Sequence, residues 1–204
     1  LRDRLKEADD ERIFIVAEAF TRGFSIEEIW EITRIDKYFL KKIKNIIDFS
    51  LRLKVRELDA ETLKEAKKLG FSDSEIAVIK GLKEVDVRSL RREMGIVPTY
   101  KLVDTCAAEF DAKTPYFYSC YEDENEALHD PEARKVLVIG SGPIRIGQGV
   151  EFDYCSVHCV WALREAGVKA VIVNNNPETV STDFDTSDRL YFEPLAYEDV
   201  MNII

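Results

Sequence analysis

Apolar residues recur every three or four positions through the first hundred residues, the period of short amphipathic helices. In "DDERIFIVAEAF" the spacing predicts a helix with Ile13, Val16, Ala17 and Phe20 on one stripe. "SIEEIWEI" opens on Ser25 and Glu28, the pair that forms a reciprocal capping box. Asp36 heads a longer helix carrying Phe39, Leu40, Ile43, Ile46 and Ile47. Asp59 heads "ETLKEAKKL", with Gly70 as the residue just past its end. Ser72 and Glu75 make a second capping box, and "VDVRSLRREM" ends at Gly95 with Arg91 and Arg92 near the negative end of its dipole.

These helices repeat. GFSIEEI (Gly23–Ile29) is echoed by GFSDSEI (Gly70–Ile76), and in the same register Ile32 matches Ile79, Ile35 matches Leu82 and Ile43 matches Leu90. Each unit reads as a capped short helix, a turn and a second helix, and two such units bury their stripes against each other.

Between Asp111 and Ala133 no period is sustained. The stretch mixes aromatics, Pro115, Pro131 and an acidic run, so it reads as a connector packed through Tyr116, Phe117, Tyr118 and Tyr121. Glu122–Glu126 is expected to be a solvated face, and His129 an exposed side chain. At Lys135 the pattern becomes short apolar runs. "KVLVIG" suits a strand covered on both faces, and "FDYCSVHCVWALREAG" suits a helix. "KAVIVNNNP" is a second buried strand ended by Pro177, "RLYFEP" a third, and "AYEDVMNII" opens another helix. The expected fold class is α plus α/β. Residues 1–110 form an all-helical domain, 111–134 a connector, and 135–204 a small open parallel sheet with helices.

Composition narrows the function classes. No apolar run approaches the roughly 18 residues of a membrane span, and the charged N-terminus has no apolar core of a secretion signal. Four cysteines do not make a disulfide framework in a chain of 204 residues, so a cytoplasmic setting is expected. Leu1 at the start and a barely begun helix at the end suggest a piece of something larger. The net charge of −10 sits almost wholly in the second half, which argues against nucleic acid as a partner.

The chemistry gathers in "VLVIGSGPIRIGQG", a strand running into a glycine-rich loop. A dinucleotide fingerprint needs G-x-G-x-x-G; Gly140 and Gly142 supply two positions, but the third is Arg145. The acid that would hold a ribose, about 20 residues on, is replaced by Asn174-Asn175-Asn176. Gly142 and Gly147 have phosphate-loop spacing, yet Gln148 stands where that loop carries lysine.

"SGPIRIGQGVEFDYCSVH", "NNNPETVSTDFDTSDRLYFEP" and "VDTCAAEFDAKTPYFYS" resemble the central stretch of the carbamoyl-phosphate synthetase large chain. Ile144 stands where that family often has asparagine, and Asn175 where it often has cysteine. The resemblance covers essentially the whole chain. It implies an oligomerisation domain, a link, and the Rossmann-like pre-ATP-grasp subdomain of the second synthetase half. It also implies a ligase that makes carbamoyl phosphate from bicarbonate, glutamine-derived ammonia and two ATP, for arginine or pyrimidine biosynthesis. Carbamate decomposes quickly in water and travels inside the protein between the two halves.

By that resemblance, Arg145, Gly147, Gly149, Glu151 and Glu178 line the carbamate passage, and Gly140 and Gly142 shape the loop. No catalytic or metal-binding residue is expected in this stretch, and no cofactor; ATP with Mg or Mn, and K, belong to the parent enzyme. Implied partners are the remaining ATP-grasp domains, a glutaminase small subunit and further copies joined through the helical domain. Alone, the stretch is expected to be inactive.

Simpler readings stand beside these. The glycines can serve only a tight strand-to-helix turn, Glu151 only the helix dipole, and Arg145 a pairing with Asp183, Asp185 or Asp188. Those aspartates could take a divalent ion, but their spacing fits no known loop. Cys155, His158 and Cys159 share a helix face that could hold zinc, though buried apolar cysteines beside Trp161 are the simpler expectation. The alternative function is a helix-turn-helix regulator with Arg88, Arg91 and Arg92 on its recognition helix, or a free-standing self-association scaffold.

Overall fold

The computed structural model describes residues 1–128, 131 and 133–204, so the expectation for His129 lies outside the described residues. The chain divides into two units, Leu1–Met94 and Gly95–Ile204. The first holds helices α1 (Arg2–Lys6), α2 (Arg12–Thr21), α3 (Ile26–Thr33), α4 (Lys37–Leu53), α5 (Ala60–Lys68), α6 (Asp73–Lys80) and α7 (Glu84–Glu93).

The caps fall where the sequence puts them. Ser25 Oγ accepts the Glu28 N–H at 3.1 Å while Glu28 accepts the Ser25 N–H at 2.9 Å; Ser72 and Glu75 do the same at 3.1 and 2.8 Å. Asp36 accepts from Tyr38 N–H at 2.7 Å and Asp59 from Thr62 N–H at 2.8 Å. The α2 stripe is rotated from its expected position. Val16, Ala19 and Phe20 enter the core with Leu5, Ile29 and Leu40, whereas Ile13 is 56% exposed. Phe39 and Ile46 of α4 also face solvent.

The sequence repeat is also a structural one. Helices α3 and α6 start and stop at equivalent residues, Ile26 with Asp73 and Thr33 with Lys80. Each is followed by a residue in the left-handed region, Arg34 (φ 59°) and Gly81 (φ 68°). Ile29 and its equivalent Ile76 are both fully buried.

The second unit is a five-stranded sheet of β1 (Thr99–Leu102), β2 (Tyr116–Cys120), β3 (Lys135–Ile139), β4 (Lys169–Val173) and β5 (Arg189–Tyr191), in the order β1-β2-β5-β4-β3. Strands β2, β5, β4 and β3 run parallel; β1 closes one edge antiparallel to β2. Alternate residues of β4 serve opposite faces. Ala170 and Ile172 join Val160 and Leu163 of α8 (Tyr154–Glu165), while Val171 and Val173 join Tyr100, Phe117, Tyr191 and the apolar side of α9 (Tyr197–Ile203).

Two expectations change here. Residues 99–120 supply two strands, so the α/β unit begins at Gly95, in contrast to the 1–110 and 111–134 division read from the sequence. The aromatics of 116–121 hid this strand because Tyr116, Phe117 and Tyr118 are consecutive and show no alternation of apolar and polar positions. Strand β3 lies at the sheet edge; Leu137 and Val138 pack into the clusters on its two faces, but the cover is incomplete, and Ile139 at its end is 57% exposed.

Candidate functional site

The glycine-rich loop leaves β3 at Gly140 and reaches α8 through a short 3-10 turn, Val150–Asp153. The Gly140 N–H donates to Val173 O at 2.8 Å, carrying the sheet's ladder one residue further. A Cβ at Gly140 would lie 2.7 Å from the Asn174 Cβ, so this glycine is required by packing. Gly142 (φ 72°) and Gly147 (φ 88°) occupy the left-handed region. Gly149 differs from all three. Its backbone (φ −104°, ψ −171°) suits any residue, and the nearest atoms a Cβ would meet belong to the flexible carboxylate of Glu151.

The base of the loop is bolted to the segment after β4 by buried side chains. Asn174, fully buried, accepts the Gly142 N–H at 3.1 Å and donates through Nδ2 to Ser181 Oγ at 3.1 Å. Asp153, 2% exposed, accepts the Ser181 N–H at 2.7 Å and the Thr179 hydroxyl at 2.8 Å, both on Oδ2. Its Oδ1 has no hydrogen-bond partner. Ser141 Oγ donates to Phe152 O at 2.9 Å, tying the two ends of the loop together.

Beyond this base the tip stands in solvent. Arg145 and Gln148 hold a local turn, with Arg145 N–H on Gln148 Oε1 at 2.8 Å and Gln148 N–H on Arg145 O at 3.0 Å. The side chains of Arg145, Glu151 and Glu178 are all exposed, and no ion pair joins them to other described residues. Arg145 therefore does not pair with Asp183, Asp185 or Asp188. Asp188 instead accepts the Ala170 N–H at 2.8 Å, and the Asp185 carbonyl accepts from Arg164 at 2.6 Å.

Other candidates resolve into structure. Among the described residues no group of three His, Cys, Asp or Glu side chains is placed to hold a metal. Cys155 and Cys159 are exposed, contrary to the buried cysteines expected beside Trp161, because α8 turns its 156, 157 and 160 positions to the sheet. His158 stacks on Tyr154 at 4.7 Å and meets Trp161 edge-on at 5.1 Å. In the first unit Arg91 is fully buried on Asp73, and Arg88 is held by Glu84 and Asp73. The recognition-helix reading thus loses two of its three arginines to ion pairs within the unit.

The sequence pointed to the exposed tip but missed the bolts. Asn174 registered only as a missing acid, and Asp153, Thr179 and Ser181 lie 26 and 28 residues apart with no local signal to join them.

Comparison with known proteins matches two stretches of the chain. Residues 1–95 match the family model of the carbamoyl-phosphate synthetase large chain, oligomerisation domain, and residues 132–204 match that of the carbamoyl phosphate synthase preATP-grasp domain. The chain is 60% identical over 196 residues to a protein named carbamoyl phosphate synthase large chain from Thermoanaerobacter sp., and 61% identical to one of that name from Thermoanaerobacter pseudethanolicus. In both, the match covers 96% of this chain and 18% of the relative, so the chain spans under a fifth of the length of these relatives. With two models of one large chain covering most of its residues and with these identities, the chain belongs to the carbamoyl-phosphate synthase large-chain family, of which it contains the oligomerisation and preATP-grasp domains.

Proposed function

We propose that the chain serves the large chain in two ways: its helical unit joins copies, and its α/β unit forms part of the enclosed route by which carbamate reaches the second phosphorylation site. The observation that carries the second role is Gly149. Packing accounts for Gly140, and backbone conformation for Gly142 and Gly147, but neither requires a glycine at 149. A missing side chain beside an exposed carboxylate is what a passage wall needs. Arg145 supplies a positive charge for the carbamate anion, and Glu151 and Glu178 supply acceptors that hold the neutral acid or its proton.

The same reading gives the complete enzyme bicarbonate, ammonia and two ATP as substrates, with the ATP-grasp domains and a glutaminase as partners. It leaves the 204-residue chain without turnover of its own. The test is Gly149→Leu in the complete large chain with its glutaminase. Carbamoyl phosphate formed per ATP consumed is expected to fall about tenfold, since a small misplacement near a reacting group is costly. An unchanged ratio removes Gly149 from the wall.

A further inference from the structure

Arg145, Glu151 and Glu178 sit on two separate loops, and a passage works only if those loops keep their spacing. Among the described residues no hydrogen bond or ion pair joins their exposed tips. The link lies beneath, in the buried chain from Gly142 N–H to Asn174, from Asn174 to Ser181, and from Ser181 N–H to Asp153, which leads straight back into the glycine loop. It forms a closed ring: the glycine loop enters it at Gly142 and leaves it at Asp153, while the Glu178 loop enters at Asn174 and leaves at Ser181.

Asn174 suits this place better than other side chains of its size. It must accept from a backbone N–H and donate to a hydroxyl at once, which an amide does and a carboxylate or an aliphatic group does not. Gly140 has no side chain at the point where Asn174 passes, and any Cβ there would collide with it. With Asn174 and Ser181 both fully buried, neither bond can be exchanged for water without opening the site. The neighbouring Thr179–Asp153 bond adds a second tie from the Glu178 loop.

We propose that Asn174 is a positioning residue: with Ser181 and Asp153 it locks the glycine loop to the loop bearing Glu178, so that the two walls of the passage move as one body. This rests on the passage reading above. The experiment uses the complete large chain with its glutaminase and compares Ser181→Ala, Gly140→Ala and Asn174→Leu with Gly149→Leu. The readout is carbamoyl phosphate formed per ATP consumed. A purely structural role lowers the amount of folded enzyme and leaves that ratio alone.

The ratio is expected to fall about fivefold or more in Asn174→Leu and Gly140→Ala, and less in Ser181→Ala, which keeps the backbone bond to Asp153. Ser181→Ala loses one hydroxyl and is the variant whose folding is least at risk. If Gly149→Leu lowers the ratio while the three others leave it unchanged, the lock is refuted and the passage stands. If all four leave it unchanged, the passage reading falls and the lock with it.

Discussion

Glu193 shows how one buried carboxylate ties strand β2 to the segment that follows β5. It follows β5, is 6% exposed, and accepts from the Ser119 N–H and, at 2.9 Å, from the Ser119 hydroxyl. Burial raises its pKa from the ordinary glutamate value and the charge of Asp199 adds to this, while the two Ser119 bonds oppose it. The folded protein therefore holds this proton more firmly than the unfolded chain. The resulting stability is fully present below the ordinary carboxylate pKa and is lost as pH rises through the raised value. Glu193→Gln keeps an acceptor for the N–H and a donor for the hydroxyl without burying a charge. It is expected to melt a few degrees above the parent at neutral pH, with the difference vanishing near about pH 4. A difference constant across that range contradicts the assignment.

At the scale of elements, the repeat makes its own comparison. Helices α3 and α6 share a capping box, an eight-residue length and a left-handed stop, so this part of the backbone is set twice by similar local signals, of which the capping boxes are legible in the sequence. The interior is not the same. Phe20, Ile26 and Lys44 of the first copy stand where the second has Lys67, Asp73 and Arg91. Arg91 and Asp73 are fully buried, with Arg91 Nε 3.0 Å from Asp73 Oδ1 and Nη2 3.0 Å from Oδ2, and Lys67 Nζ 3.4 Å from Oδ1. No helical period announces a buried ion pair, because Arg91 and Asp73 come from different helices and each looks like a solvated charge. Asp73→Ala takes the carboxylate away from the buried Arg91 and is expected to cost about 3–5 kcal/mol in urea unfolding. Asp73→Ala with Arg91→Ala is expected to cost less than the two singles combined. Strict additivity contradicts a direct pair.

The α/β elements were partly legible for a related reason. Runs such as "KAVIV" announce themselves through continuous apolar character. Strand β2 did not: its aromatics are consecutive rather than alternating, and its parallel partner β5 lies some seventy residues onward, with Tyr116 against Leu190 and Phe117 against Tyr191. The candidate site divided the same way. Its loop glycines stand out in the sequence and its charges were proposed through family resemblance alone, whereas Asn174, Ser181 and Asp153 act through contacts between loops.

At the scale of the whole molecule, two units carry two kinds of surface. The helical unit exposes Ile13 (56%), Phe14 (71%), Tyr38 (61%) and Phe39 (60%) at the starts of α2 and α4, helices that pack on one another. In the second copy the equivalents of Phe14 and Phe39 are Glu61 and Asp86, so the fold does not need aromatic residues there. This apolar face supports self-association through the first copy. Phe14→Glu with Phe39→Glu is expected to shift the sedimentation of the complete large chain toward smaller species while leaving its circular dichroism unchanged. Unaltered sedimentation contradicts that surface.

The α/β unit carries most of the negative charge, and its exposed loop tip has an arginine between glycines. Gly149 is where side-chain bulk can be varied there without straining the backbone. The decisive measurement is carbamoyl phosphate formed per ATP consumed across Gly149→Ala, Gly149→Val and Gly149→Leu in the complete enzyme. A passage wall requires the ratio to fall step by step as the side chain grows. A ratio that stays level from alanine to leucine contradicts it.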